Sequence, residues 1–195
     1  MSVEEPTSLP LPPRLSQWQR ARYRVRQFFR GLTARVSDGE RRDLGQYLAP
    51  DGQALFARMP VDAQRHSLNV MQTLQAGGYG DPDLLPAALL HDVGKVAADD
   101  AGVHITLWLR GPLVLAEAFA PDALAQQAVD DPQRGWRYAL YVHFAHPQIG
   151  AEWAKEVGCN ESVCWLIAHH QDKTSPEDGR QKLLLAQLQW ADEQN

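Results

Sequence analysis

Apolar residues recur every three or four positions along most of the chain, which is the period of an α-helix with one buried face. The first such run extends from Arg14 to Leu32. The pattern predicts a helix there, and its apolar stripe consists of Trp18, Ala21, Val25, Phe28 and Leu32.

Helical patterns of the same kind follow through the rest of the sequence. Ser37, with Glu40 three residues later, predicts a capping box at the start of the next helix. The pattern also predicts a helix in DGQALFARM and another from Val61 to Leu74, and Asp81 before Pro82 predicts the cap and first turn of a helix that leads to His91. Later helices are predicted at about 104–119, 122–130, 135–143, 147–157, 161–171 and 180–194.

Strand signals are weak by comparison. β-branched residues are sparse and no hairpin turn can be recognised. The sequence therefore predicts an all-α fold. We expect three parts, which are a Pro-rich disordered tail at 1–13, an N-terminal helical extension at 14–59 and a main helical domain at 60–195.

Composition and charge narrow the class of protein. Hydrophobic residues make up 44% of the chain and charged residues 22%, as in ordinary globular proteins. The net charge of −5 argues against a general affinity for nucleic acid. No apolar run approaches the roughly 20 residues that cross a bilayer, and the acidic first residues do not resemble a signal peptide, so we expect a cytoplasmic protein without a membrane partner.

Two features have both a functional and an ordinary interpretation. The predicted first helix carries five arginines outside its apolar stripe, which suits either an anionic partner or, as we favour, a solvated helix face. Cys159 and Cys164 match neither a disulfide framework nor a cysteine-rich zinc site, so we interpret them as reduced thiols.

The segment LLPAALLHDVGK, residues 84–95, joins an apolar run directly to His91, Asp92 and Lys95. An isolated charge in apolar surroundings costs several kcal/mol or more, unless it is paired or bound to a metal. The segment therefore either reaches the surface at Lys95 or delivers His91 and Asp92 to a partner in the interior.

Further imidazoles and carboxylates lie on other predicted helices. A lone histidine on an apolar helix is usually a satisfied core residue, but this combination suits a divalent metal ion held inside a helical bundle. Mixed nitrogen and oxygen ligands are compatible with iron, manganese, magnesium, nickel or zinc. The histidines are His66, His91, His104, His143, His146, His169 and His170, and Asp62, Asp92 and Asp192 lie on or beside the same apolar faces.

The order His66, then His91 and Asp92 within ALLHDVGK, then Asp192 within QWADEQ resembles the H…HD…D signature of the HD superfamily of metal-dependent phosphohydrolases, with HDVGK as an HDIG-like variant. The resemblance covers about 60–195 and implies a helical bundle with one or two divalent metal ions. It implies that His66, His91, Asp92 and Asp192 are the ligands of the first ion and that Asp92 can bridge two ions.

The resemblance further implies that His146 in HPQIGA, and His169 or His170 in IAHH, are additional ligands of a binuclear site. Because His146 precedes Pro147, we expect its imidazole at the start of a helix. Asp62, one turn before His66, is a candidate extra ligand or an orienting carboxylate.

The implied activity is hydrolysis of a small phosphorylated substrate, a phosphomonoester or phosphodiester and possibly a nucleotide. As catalytic residues we expect Asp92, which would hold the attacking water or take its proton, and Lys95, whose charge would stabilise the phosphate oxygens. The alternative for Lys95 is a solvent-facing lysine that closes a helix C-terminus after Gly94. The glycine-rich loop of the HD-GYP subgroup is replaced after IAHH by QDKTSPEDGRQK, which argues against hydrolysis of cyclic dinucleotides. Two alternatives are a non-catalytic HD module that binds a nucleotide or partner and a di-iron oxygenase on the same scaffold.

Overall fold

The computed structural model describes residues 35–103, 121–172 and 179–195. These residues form helices and turns, with no strand among them. The predicted all-α fold is confirmed. The α-helices are α1 (Asp38–Asp43), α2 (Pro50–Ala57), α3 (Val61–Ala76), α4 (Leu84–Leu90), α5 (Val96–Asp100), α6 (Pro121–Ala125), α7 (Trp136–Glu156), α8 (Glu161–His169) and α9 (Arg180–Gln194).

The start of α1 confirms the predicted capping box. The Ser37 hydroxyl accepts a hydrogen bond from the Glu40 backbone N–H, and the Glu40 carboxylate accepts one from the Ser37 N–H at 2.9 Å. Two backbone N–H groups at the helix start, which have no acceptor within the helix, are hydrogen-bonded in this way. The predicted helices in DGQALFARM and from Val61 are also present.

Helix α4 lies at the centre of the bundle. All seven of its residues are buried, because α3, α8 and α9 pack around it. A helix that is apolar on every side belongs in a core, and burial of each leucine contributes about 1.5–3 kcal/mol. The chain thereby carries its HD dipeptide, residues 91–92, into the interior at the C-terminal end of α4.

Two predicted helix starts are wrong. Helix α4 begins at Leu84, two residues after Pro82, because the Asp81 carboxylate accepts the Asp83 N–H and forms a turn before the helix. The predicted segments 135–143 and 147–157 are one helix, α7, which continues through Pro147. The helix predicted at 122–130 already ends at Ala125.

Several predictions fall on parts of the chain outside the described residues. These are the tail at 1–13, the arginine-rich helix that follows it, the helix at 104–119 and the residue His104. Among the described residues, no helix is long and apolar enough to cross a membrane.

Candidate metal centre

The histidines and carboxylates of the bundle meet at the C-terminal end of α4. His91 and His146 have no solvent exposure, and Asp92 and His170 are buried beside them. Helices α3, α7, α8 and α9 each bring one more group to this point, and these groups are His66, His146, His170 and Asp192.

These side chains form two groups that share Asp92. The first group, which consists of His66, His91, Asp92 and Asp192, surrounds one oxygen of the Asp92 carboxylate. Oδ2 lies 3.7 Å from His91 Nε2 and 3.9 Å from His66 Nε2. Asp192 closes this side, with Oδ1 at 3.0 Å from His66 Nε2 and 3.6 Å from His91 Nε2. These four residues are the set that the resemblance implied for a first metal ion.

The second group surrounds the other oxygen of the same carboxylate. Asp92 Oδ1 lies 3.4 Å from His146 Nε2 and 3.7 Å from His170 Nε2. The two imidazole nitrogens are 3.3 Å apart. Asp92 therefore presents a separate oxygen to each group, which is the arrangement of a carboxylate that bridges two cations.

In three histidines the ring orientation leaves the Nε2 atom free to coordinate a metal ion through its lone pair. His91, His146 and His170 each place Nδ1 against a backbone carbonyl, at 2.9, 2.6 and 2.7 Å. A carbonyl can only accept, so in the neutral ring Nδ1 carries the hydrogen and Nε2 carries the lone pair. A hydrogen bond of this kind from the second ring nitrogen is usual for metal-binding histidines.

These atoms fit a divalent metal. Ligand atoms held about 2.1 Å from a tetrahedral ion lie about 3.4 Å from one another, close to the spacings in both groups. His91 Nε2 is buried without a hydrogen-bond partner in the described part of the chain, an arrangement that is costly unless a cation or proton occupies the space beside it. His66, His91 and Asp92 of the first group lie close enough together to hold one metal ion, and so do Asp92, His146 and His170 of the second. Asp192 adjoins the first of these sets through His66 and His91.

Charge is strongly coupled across the cluster. Burial opposes the charged form of His91, but Asp92 and Asp192 outweigh it and raise the pKa of this imidazole to about 9. Burial also opposes ionisation of Asp92, but Lys95 and His91 hold the pKa of its carboxyl well below the usual range. At neutral pH His91 therefore carries a proton unless a bound metal ion replaces that proton.

The second group behaves differently. Burial lowers the pKa of His146 to about 4, and the positive charge of Lys95 acts in the same direction. His146 is therefore neutral at pH 7, with its lone pair available.

His146 corrects a prediction. It lies in the middle of α7 rather than at a helix start. Proline has no N–H and destabilises a helix interior, which is why Pro147 suggested a boundary. The helix continues because the turn Val93–Lys95 and α8 both pack against it, and both lie beside Gly150, close to the proline.

Two further predicted ligands do not join either group. His169 Nδ1 donates to the Trp165 carbonyl at 2.8 Å, and its ring stacks on the Trp165 indole with centroids 4.3 Å apart. Of the adjacent pair, His170 is the residue that reaches Asp92. Asp62 is exposed in the first turn of α3 and belongs to neither group.

Lys95 is placed beside the cluster by the short turn Val93–Lys95. Its Nζ donates to Asp92 Oδ2 at 2.7 Å, while 47% of the side chain remains exposed. The lysine therefore lies between the buried carboxylate and solvent.

Gly94 is a sterically constrained position that its own residue type could have indicated. A Cβ at this position would lie 2.1 Å from the His146 carbonyl oxygen and 2.7 Å from the Gly150 nitrogen. Only glycine allows the turn that follows Asp92 to approach the backbone of α7 so closely. A glycine beside predicted ligands is a signal for such a contact, but the partner helix cannot be identified from it.

Comparison with known proteins agrees with this geometry. Residues 64–193 match the family model described as HD domain. The matched region includes every residue of both groups, from His66 to Asp192. No curated protein and no solved structure matches the chain.

Proposed function

The chain belongs to the HD domain family, and on this premise we propose that it is a metal-dependent phosphohydrolase that cleaves a phosphomonoester or phosphodiester, with nucleotides among the candidate substrates. The observation that carries the proposal is the division of the Asp92 carboxylate between two groups of metal-binding side chains. Two ions held in this way suit the displacement of an oxygen at phosphorus.

Both groups would provide metal ligands. His66, His91, Asp92 and Asp192 would hold one ion, and Asp92, His146 and His170 the other. Bound divalent ions supply an activated water at neutral pH and neutralise charge on a phosphoryl group.

Asp92 and Lys95 would act directly on the reacting groups. The low pKa of Asp92 keeps it ionised, so it can orient a water molecule and accept a hydrogen bond from it. Lys95 is half exposed at the edge of the cluster and presents a positive charge to phosphate oxygens. Its ion pair with Asp92 holds the ammonium group near the position where that charge is needed.

A panel of phosphomonoesters and phosphodiesters with added manganese tests the activity. The wild-type protein is expected to hydrolyse at least one class, and Asp92→Ala to lower kcat by about 100-fold or more. Asp62→Ala is the matched control, since this exposed aspartate lies outside both groups. Wild-type protein that binds metal but hydrolyses nothing would favour the non-catalytic binding module instead.

Lys95→Met in the same panel separates substrate charge stabilisation from metal binding. We expect kcat to fall by about 100-fold while the metal content is unchanged. Lys155→Met, at the exposed end of α7, is the control for loss of one positive charge. Equal activity of Lys95→Met and the wild type would remove Lys95 from the catalytic residues.

A further inference from the structure

Three buried histidines of the metal centre share one local arrangement. Each imidazole donates from Nδ1 to the carbonyl three residues earlier in its own helix, so its Nε2 atom points into the cluster. The pairs are His91 with Ala88, His146 with His143 and His170 with Ile167.

For two of the three, the carbonyl is available because a helix ends there. Helix α4 ends at Leu90 and α8 ends at His169, and His91 and His170 are the residues that follow. The carbonyls of a last helical turn have no backbone N–H farther along the helix to bond with. A side chain at the helix end can therefore donate to one of them.

His146 lies in the middle of α7, where backbone N–H groups normally occupy the carbonyls. The N–H that would donate to the His143 carbonyl is that of the residue four positions later, which is Pro147. Proline has no N–H, and its ring displaces the carbonyl of the preceding turn away from the helix axis. The His146 Nδ1 atom lies 2.6 Å from this carbonyl oxygen.

We propose that Pro147 is a positioning residue for His146: by removing one backbone donor it makes the His143 carbonyl the acceptor that orients this imidazole. The proline thus leaves a backbone carbonyl without its N–H donor in the middle of a helix, as the helix ends do for His91 and His170. The oriented ring directs Nε2 towards Asp92 Oδ1 at 3.4 Å and His170 Nε2 at 3.3 Å.

The arrangement also explains why a residue unfavourable to helices occurs within α7. Proline disfavours helical geometry in the residue before it as well as removing a hydrogen bond. Local conflicts of this kind between sequence and fold are expected at functional sites. The inference rests on the proposed metal centre for its purpose, but the hydrogen bond itself can be tested without metal.

The test is Pro147→Ala in the full chain, with Pro50→Ala as control, because Pro50 occupies the first turn of α2, where its missing N–H has no helical acceptor. Alanine at 147 restores the backbone donor to the His143 carbonyl. Long-range ¹H–¹⁵N spectra of the metal-free protein should show His146 with its hydrogen on Nδ1 in the wild type and in Pro50→Ala. In Pro147→Ala we expect loss of this single tautomer.

Titration with manganese followed by calorimetry gives the second readout. Metal should bind about 10-fold or more weakly to the group of Asp92, His146 and His170 in Pro147→Ala, with its affinity for the other group unchanged. The melting temperature of the metal-free variant should stay close to that of the wild type, because the gain from removing a helix-interior proline offsets the packing lost with its buried ring.

Two outcomes would overturn the inference. One is an unchanged His146 tautomer in Pro147→Ala. The other is a lower melting temperature with both metal equivalents weakened alike, which would make the proline a general packing residue. Failure of the wild type to bind two ions would count against the metal centre, while the tautomer of the metal-free protein would still decide the role of Pro147.

Discussion

His91 is the residue at which a bound metal ion would compete most directly with a proton. It is fully buried, and the carboxylates Asp92 and Asp192 hold its pKa at about 9 despite that burial. His146, in the second group, has a pKa of about 4 and is already neutral at pH 7. The two groups therefore differ in whether a metal ion would have to displace a proton from an imidazole.

We expect metal binding at the group of His66, His91 and Asp92 to release about one proton from His91 at pH 7.5, and the affinity of this group to rise about tenfold per pH unit until pH 9. Binding at the group of Asp92, His146 and His170 should release no proton from His146. Calorimetric titrations in buffers of different ionisation enthalpy measure both numbers. His169→Ala should leave them unchanged, because this ring stacks on Trp165 outside both groups.

The same raised pKa affects the metal-free protein. A histidine whose pKa is higher in the folded state stabilises that state fully below its unfolded pKa of about 6.5. The contribution disappears as the pH rises through about 9. Metal-free protein that becomes more stable between pH 7 and 9 would contradict this assignment.

At the scale of elements, the contact between the turn Val93–Lys95 and α7 sets the separation of the two groups. Gly94 and Gly150 meet there, and a Cβ at Gly150 would lie 3.2 Å from the Gly94 nitrogen. Asp92 precedes this turn and His146 lies in the facing part of α7. A change in this contact therefore moves the Asp92 carboxylate relative to His146.

Gly94→Ala should destabilise the protein by about 2–3 kcal/mol, because the new methyl group meets backbone atoms that cannot rotate away. It should also lose metal binding at the group of Asp92, His146 and His170. Urea unfolding and metal titration measure the two effects. Gly80→Ala is the control, since nothing lies within 4 Å of a Cβ at that position, and a stability change above about 0.5 kcal/mol there would undermine the steric argument.

At the scale of the whole molecule, the described part of the predicted N-terminal extension shares one hydrophobic core with the bundle. Phe56 is completely buried, and Leu48 and Met59 belong to the same cluster as Leu89 and Leu188. Arg65 of α3 also binds Glu40 of α1 at 2.7 Å. The division at residue 60 that the sequence predicts, close to the start of the matched family region, is thus not a division of the core.

Phe56→Ala should therefore destabilise the entire fold, by about 3–5 kcal/mol. We expect a single unfolding transition in urea, with the same midpoint by circular dichroism and by tryptophan fluorescence. Val61→Ala, 44% exposed at the start of α3, should change the stability by less than about 0.5 kcal/mol. Two separate transitions would show that the extension folds independently.

The sequence by itself determined the features that depend on neighbouring residues. Apolar spacing identified the helix from Val61, and Ser37 with Glu40 marked the start of α1. The H…HD…D order identified His66, His91, Asp92 and Asp192. Helix period and capping are local signals, because each is set by residues a few positions apart. The H…HD…D order instead spans residues 66–192 and was recognised by its resemblance to a family.

Only the tertiary structure decided which side chains meet. Adjacent residues on a helix point about 100° apart, so the choice of His170 over His169 depends on how α8 packs against α4 and α7. The continuation of α7 through Pro147 likewise depends on the elements packed along it, which outweigh a local preference for a break. The division of the Asp92 oxygens between residues as distant in sequence as His66 and His170 is set by helix packing, which no local pattern specifies.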